Sequence, residues 1–296
     1  MADTTKYALY MPDYGVFGDA RRLATLAQEA ETAGWDGFFL WDHIAYYDET
    51  QHTLNMVDPW VALTAIAMNT RTIRIGTTVT PLPRRRPWKL ARETVSIDRL
   101  SGGRLILGVG IGLGAGEWDY LGEEIDPRTR GQMLDEGLAV LTGLWSGKPF
   151  TYDGQHYQIK DAQFLPTPVQ SPRIPIWVGG FWPNKPPFRR MAHWDGMFPL
   201  FQVYGPEQDA LLKEAVALVK RERQAAGIDA PLEVIKIGVT PGNNREEASL
   251  RVRGAVEAGA TWWLEVLMPE IYAVAPDDET AFAVMRERVL QGPPRS

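Results

Sequence analysis

Eight short apolar runs, each followed by a stretch of helical character, constrain this chain more than any other feature. They occupy residues 7–11, 37–41, 73–79, 104–110, 174–179, 196–200, 233–240 and 261–267. "GFFLW" and "RLILGV" are almost continuously apolar, the pattern of parallel strands buried on both faces. Three of the intervening helices have legible ends. Asp19 caps a helix that carries Leu23, Leu26, Ala27, Ala30 and Ala33 and closes at Gly34. Asp126 and Pro127 form an N-cap and first-turn pair, ahead of Leu134, Leu138, Leu141 and Trp145, with a stop near Gly147. Pro206 starts a third helix, with Leu211, Ala215, Leu218 and Val219 inward and Gly227 at its end.

Eight alternating β and α units predict an α/β fold, a (β/α)8 barrel formed as one domain over residues 1–296. An internal echo supports it. "GWDGFFL" precedes the second strand and "HWDGMFP" the sixth, four units apart, so each Trp-Asp-Gly is a structural turn feeding a strand. One segment, residues 148–175, breaks the rhythm between the fourth helix and the fifth strand. Its Asp153-Gly154 turn lies between alternating residues, a hairpin signal, and a proline-rich extended stretch follows. The expectation is an insertion beside the barrel.

Bulk properties exclude several classes of function. The net charge of −6 argues against a general nucleic-acid binder. There is no cysteine, hence no disulfide, thiolate nucleophile or Cys-bound metal. No apolar run reaches the roughly 18 residues that span a bilayer, and the start lacks the pattern of a signal peptide. These features predict a soluble, cytoplasmic protein that binds neither membrane nor nucleic acid. No HExxH or comparable pair is present, so no metal site is expected.

The stretch "GRLILGVGIGLGAGE" poses the sharpest functional question. Gly110, Gly112 and Ala115 satisfy the permissive dinucleotide pattern G-x-G-x-x-G/A. A Rossmann unit, however, opens its glycine loop directly into a helix after the first strand. Here the strand is the fourth and the helix is expected only near Pro127. In a barrel, glycines at the C-terminal end of a strand let backbone amides approach a flat or phosphorylated ligand. A glycine-rich loop with no ligand is the alternative.

Other strand ends carry further candidates. The first delivers Asp13 and Tyr14. The second delivers Trp41, Asp42 and His43, either a satisfied structural pair or a proton handler. His52, His156 and His193 lie in a loop, in the hairpin and before a strand. The third ends in Thr77, Thr78 and Thr80, followed by Arg84, Arg85, Arg86 and Lys89, a solvated face or a holder for an acidic ligand. Gly179 and Gly180 end the fifth as a phosphate cradle, with Lys185 and Arg189 nearby. Glu265 stands among apolar residues of the eighth, where an ionised carboxylate needs a partner.

Taken together, "AGWDGFFLWDH", "IGTTVTPLPRRRPWKLARETVSIDRLSGGRLILGVGIG", "MLDEGLAVLTGLWSGKPFTYDGQHYQI" and "PVQSPRIPIWVGG" resemble the bacterial luciferase-like monooxygenase family, over residues 7–290. The resemblance implies a TIM barrel with insertions and an oxidoreductase acting on a small organic substrate with FMN or coenzyme F420. It implies that Asp42 and His43 lie close to the flavin ring. His43 would orient or protonate the substrate, and Asp42 would set its tautomer or contact the ring. A non-proline cis peptide is expected within residues 77–79, at Thr78–Val79, so Thr77, Thr78 and Val79 join the cofactor set. Gly110, Gly112 and Gly116 would flank the ring or its chain with Glu117 nearby, and Gly179 and Gly180 would hold the phosphate. The catalytic set is His43, Asp42 and Glu265. F420 is preferred, because a single His follows Asp42 and because Arg84–Arg86 could pair with its acidic tail. The family also implies a homodimer.

Two rival classes stand beside this reading. A barrel glycosidase would use Glu117 and Glu265 as paired carboxylates, and eleven tryptophans would suit sugar stacking. A non-catalytic flavin-binding barrel would bind cofactor without turnover. The aromatic residues Trp41, Trp177, Trp182, Trp263 and Phe201 point either to an apolar or flat substrate or to contact with the cofactor.

Overall fold

The computed structural model describes residues 5–46, 53–113, 116–203, 205 and 207–295. His52, Gly114, Ala115 and Pro206 therefore lie outside the described residues. Strands β1 (Lys6–Met11), β2 (Gly37–Leu40), β3 (Arg74–Pro81), β4 (Leu105–Gly110), β7 (Ile176–Phe181), β8 (Gly196–Leu200), β9 (Glu233–Gly238) and β10 (Trp262–Val266) form the barrel wall. β5 (Phe150–Asp153) and β6 (Gln158–Ala162) stand apart from it. The wall is closed and parallel, in the order β1-β10-β9-β8-β7-β4-β3-β2. This is the (β/α)8 TIM barrel expected. The helices are α1 (Ala20–Thr32), α2 (Pro59–Asn69), α3 (Pro87–Leu100), α4 (Gly116–Asp119), α5 (Pro127–Trp145), α6 (Lys185–Met191), α7 (Glu207–Ala225), α8 (Arg245–Glu257) and α9 (Glu279–Leu290). None of them is long and apolar enough to cross a membrane.

The alternation of each strand sorts its side chains into two cores. Ala8, Phe39, Ile106, Trp177, Phe198 and Leu264 fill the barrel interior, while a larger cluster packs between wall and helices. On β10, Trp262 and Leu264 point inward, so Trp263 and Glu265 point out toward the helices.

The two Trp-Asp-Gly turns are one device used twice. Asp36 Oδ2 accepts from the amide of Tyr7 at 2.7 Å, and Asp195 Oδ2 accepts from that of Ile176 at 2.7 Å. Each thus pins the start of the neighbouring strand, and each also takes an arginine, Arg295 and Arg173 respectively. Both lie at the N-terminal end of the barrel, away from the cavity described below.

The insertion is an antiparallel hairpin of β5 and β6. Glu136 of α5 accepts the amides of Gln155, His156 and Tyr157 in its turn. The extended stretch behind it is fastened by Asp98 of α3, which accepts from the Val169 amide at 2.7 Å and the Gln170 side chain at 2.7 Å.

Candidate active site

At the C-terminal end of the barrel lies a cavity of about 1120 Å³. Its floor is the Thr78–Val79 segment, whose peptide bond is cis, as expected. The ladder between β3 and β4 shifts register here, between Thr77 and Thr80. Val79 sits between two glycines: a Cβ on Gly110 would come within 2.8 Å of Val79 Cγ2, and one on Gly179 within 3.0 Å of Val79 Cγ1. Side chains at either position would displace the floor. Gly112 adopts φ +82°, and a Cβ there would strike the Trp118 ring at 2.3 Å. The glycines are thus explained first by close packing, and the same packing leaves bare backbone at the cavity.

Of the cofactor residues expected from the sequence, Asp42, Thr78, Val79, Gly110, Gly112, Gly116, Glu117, Gly179 and Gly180 line this cavity. Thr77 does not. Its hydroxyl donates to the Gly108 carbonyl oxygen at 3.1 Å, inside the wall. A four-residue helix, α4, opens at Gly116 directly after the glycine stretch, which the sequence reading passed over because a single turn has no periodicity.

His43 projects from the end of β2. Its Nδ1 is 2.9 Å from Glu117 Oε2. An ionised carboxylate only accepts, so this contact places the proton on Nδ1 and leaves Nε2 for the cavity. Glu117 Oε1 accepts from the amides of Ile44 at 2.6 Å and Ala45 at 3.2 Å. Burial alone would raise the Glu117 carboxyl. The hydrogen bond and charge of His43, the nearby Arg84 and the Ile44 amide outweigh it and hold the group below the ordinary carboxylate range.

The expectation that Asp42 sets the His43 tautomer is corrected by these contacts, because the partner of Nδ1 is Glu117. Asp42 instead anchors the loops. Its Oδ2 accepts from Thr80 at 2.7 Å and Trp60 at 3.2 Å, and its Oδ1 from Arg85 at 2.7 Å and Arg84 at 3.3 Å. Arg84 also lies 3.2 Å from Glu117 Oε2, so one guanidinium spans both carboxylates. Arg84 and Arg85 are therefore committed to the protein, and Arg86 caps α3 and lies over the Trp88 ring. None of the three lines the cavity, which removes them as a binding run for an acidic cofactor tail.

Among the described residues, Arg128 and Arg190 line it, on the side of α5 and α6. Arg190 is held by Asp135 and by the Gly131 carbonyl. Lys185 and Arg189, expected beside the glycine pair, are not in the lining, and Arg189 reaches out to Glu222.

Glu265 is displaced further from expectation. It is fully buried between β10 and the helices, accepting from the Thr240 amide at 2.7 Å, the Thr240 hydroxyl at 2.8 Å and Trp263 at 2.9 Å, with Arg288 at 3.5 Å. Burial pushes its carboxyl up against the pull of Arg288 and these donors. It does not line the cavity, so Glu117 and Glu265 face no common space.

Among the aromatic residues singled out, Trp41 lines the cavity; Trp177 fills the barrel below it, and Trp182, Trp263 and Phe201 pack in the outer core. Sequence reasoning missed Tyr10, Tyr46 and Phe198, which line the same cavity; Tyr46, with Trp41, meets the His43 ring. Strand parity was the available signal: Tyr10 is two residues after the inward Ala8.

Asp13 lies near Asp42 and Glu117 outside the cavity lining. It is fully buried, and neither carboxyl oxygen reaches hydrogen-bond geometry with a donor. Burial pushes its carboxyl well above the usual range and the charges of Asp42 and Glu117 add to that, against the smaller pull of the Asp13 and His43 backbone.

With this geometry in view, comparisons with known proteins agree. The family model described as luciferase-like monooxygenase matches residues 5–288. An uncharacterized protein of Mycobacterium tuberculosis is 30% identical over 225 residues, 71% of this chain and 74% of its own. The oxygenase component of a flavin-dependent trigonelline monooxygenase from Acinetobacter baylyi is 29% identical over 166 residues, 55% of this chain and 44% of its own. In fold, the chain is similar to an F420-dependent secondary alcohol dehydrogenase in complex with an F420-acetone adduct, with a TM-score of 0.74, 16% identity and coverage of 97% and 99%. The chain belongs to the luciferase-like monooxygenase family.

Proposed function

We propose that this protein is a flavin- or deazaflavin-dependent oxidoreductase for a small organic substrate, with His43 as the group that handles the substrate proton. The observation that carries the reading is the Glu117–His43 pair at the cavity, with Nδ1 taken by Glu117 and Nε2 unengaged, beside a glycine-flanked Thr78–Val79 floor. The cavity, about 1120 Å³, is larger than the roughly 300–1,000 Å³ of an ordinary small-molecule site. It has room for a flat cofactor and a substrate together.

The residues present fit such a cofactor. Val79, flanked by Gly110 and Gly179, offers a small apolar surface, and the Gly180, Arg190 and Arg128 side offers donors to its polar end. When bound, the group would supply hydride transfer or, for a flavin, oxygen chemistry. The chain's own part is positional and acid–base. Glu117 holds the imidazole in one tautomer, and Arg84 fixes Glu117 from the far side. Nε2 then accepts a proton from a substrate hydroxyl or, once protonated, returns one to a substrate oxygen. Tyr10, Trp41 and Phe198 exclude water from that oxygen.

The single histidine after Asp42 favours F420 over FMN; the arginine run no longer contributes. Fluorescence titration of cofactor-stripped protein with each compound tests the proposal. F420 binding in preference to FMN is the expected result. FMN binding alone assigns the flavin monooxygenase branch, and binding of neither overturns the reading.

A further inference from the structure

We propose that the β1–β2 side of the cavity is built for an uncharged, ring-bearing molecule with one polar end directed at His43 Nε2. The proposal rests on the oxidoreductase reading only for what is done to that molecule. Whether it binds is a separate question.

The first observation is the wall. Tyr10 lies 5.3 Å from Trp41 and 6.0 Å from Phe198 between ring centroids, and Trp41 lies 6.3 Å from Tyr46. The His43 ring meets Trp41 edge-on at 5.6 Å and Tyr46 edge-on at 5.4 Å. Tyr46 is in turn stacked on Tyr14 at 4.2 Å, and Tyr14 is tied by its hydroxyl to Glu270 at 3.0 Å. The histidine is thus set within a nearly continuous aromatic surface whose members are braced from behind. Aromatic side chains recognise flat rings by offset or edge-on contact, a geometry that such a wall provides without rearrangement.

The second observation is the balance of charge. All four oxygens of Asp42 and Glu117 are already engaged, three of them by two hydrogen-bond donors each and Glu117 Oε2 by His43, with Arg84 in ion-pair contact. Asp42 Oδ1 has Arg85 and Arg84, and Asp42 Oδ2 has Thr80 and Trp60. Glu117 Oε1 has two amides, and Glu117 Oε2 has His43 and Arg84. Two carboxylates are therefore cancelled by two guanidiniums, and among the described residues of this side neither is left free to meet a ligand cation. Neither arginine lines the cavity, so no cation is left for a ligand anion on this side among the described residues. Arg128 and Arg190 belong to α5 and α6, which follow β4 and β7, across the barrel from β1. An ion bound beside His43 would lose its hydration without compensation, whereas a neutral molecule would lose little.

Benzamide, benzoate and benzamidinium share one flat shape and differ in charge. Their binding to the cofactor-stripped and cofactor-loaded protein, followed by calorimetry at pH 7.5, tests the inference. The expected result is benzamide binding at least tenfold more tightly than either ion, with Trp41→Leu weakening benzamide at least tenfold. Phe198→Leu serves as a second variant should Trp41→Leu fail to fold, with the same expectation. Tightest binding of benzoate would make this an anion site, and tightest binding of benzamidinium a cation cage; either overturns the proposal. So does the absence of binding by all three, or benzamide binding that neither variant weakens. The cofactor titration above is independent, so failure here with F420 or FMN still bound leaves the oxidoreductase reading standing.

Discussion

At the scale of single residues, the site is a set of carboxylates with different tasks assigned by their surroundings. Glu117 is kept ionised by three hydrogen-bond donors and the Arg84 guanidinium, and it orients His43; Asp42 is consumed by loop anchoring; Asp13 is buried beside both carboxylates. Glu117→Gln replaces an acceptor with a group able to donate, and the Nδ1 tautomer loses its support. Turnover with the cognate substrate should fall by about 10²-fold or more, while F420 or FMN binding is retained; steady-state kinetics beside the fluorescence titration checks this. His43→Asn should likewise spare cofactor binding and lower turnover, and unchanged turnover would remove His43 from the mechanism. Asp13 gives a pH prediction. Its folded carboxyl holds its proton well above the value of about 4 it has in the unfolded chain. Above that pH the folded state binds more protons than the unfolded state, so stability falls as pH rises toward the raised value. Asp13→Asn should therefore raise the melting temperature at pH 8 relative to wild type by more than at pH 4. Equal shifts at both pH values would mean that Asp13 is ionised in the native protein. Residue identities were legible here, but partnerships were not. Asp42 and His43 adjoin in sequence, yet the residue that holds the imidazole comes from α4, the turn of helix after β4, 74 positions away.

Elements were more legible, because their signals are local. The Asp19, Asp126 and Asp153-Gly154 signals all mark real ends or turns. The eight strand runs all lie in the wall, with ends moved by no more than two residues at most positions. One-turn α4 was invisible, since four residues cannot show a period of 3.6. The repeated Trp-Asp-Gly turn was legible as structural, and its mechanism emerges from the fold: an aspartate accepts the first amides of a neighbouring strand and an arginine covers it. Asp195→Ala strips the Ile176 amide and Arg173 of that acceptor. A loss of about 1.5–3 kcal/mol is expected, as for a hydrogen bond to a charged group, and urea denaturation measures it. Asp36→Ala should cost a similar amount, because it performs the same task half a barrel away.

For the whole molecule, barrel closure sorts every strand residue to the inside or the outside, and Glu265 shows the consequence. As a carboxylate in an apolar strand near the C-terminal face it qualified as catalytic, yet its parity turns it to the helices and into a pair with Arg288 of α9. Glu265→Ala should leave Arg288 buried without its counter-charge and cost about 3–5 kcal/mol in unfolding free energy. Cofactor affinity at 25 °C should be unchanged, and a selective loss of cofactor binding in a stable variant would return Glu265 to the site. The sequence by itself determined the barrel, its insertion, its family and the strand ends that carry chemistry, because apolar periodicity, capping residues and contiguous motifs are encoded over short distances. Barrel closure set Glu117 against His43, spent Arg84 and Arg85 on Asp42, and brought Arg128, Arg190, Tyr10, Tyr46 and Phe198 into the lining of the histidine's cavity. Those relations join residues brought together by closure of the sheet, and the strength of an ion pair or the choice of a tautomer depends on distance and burial that no local pattern contains.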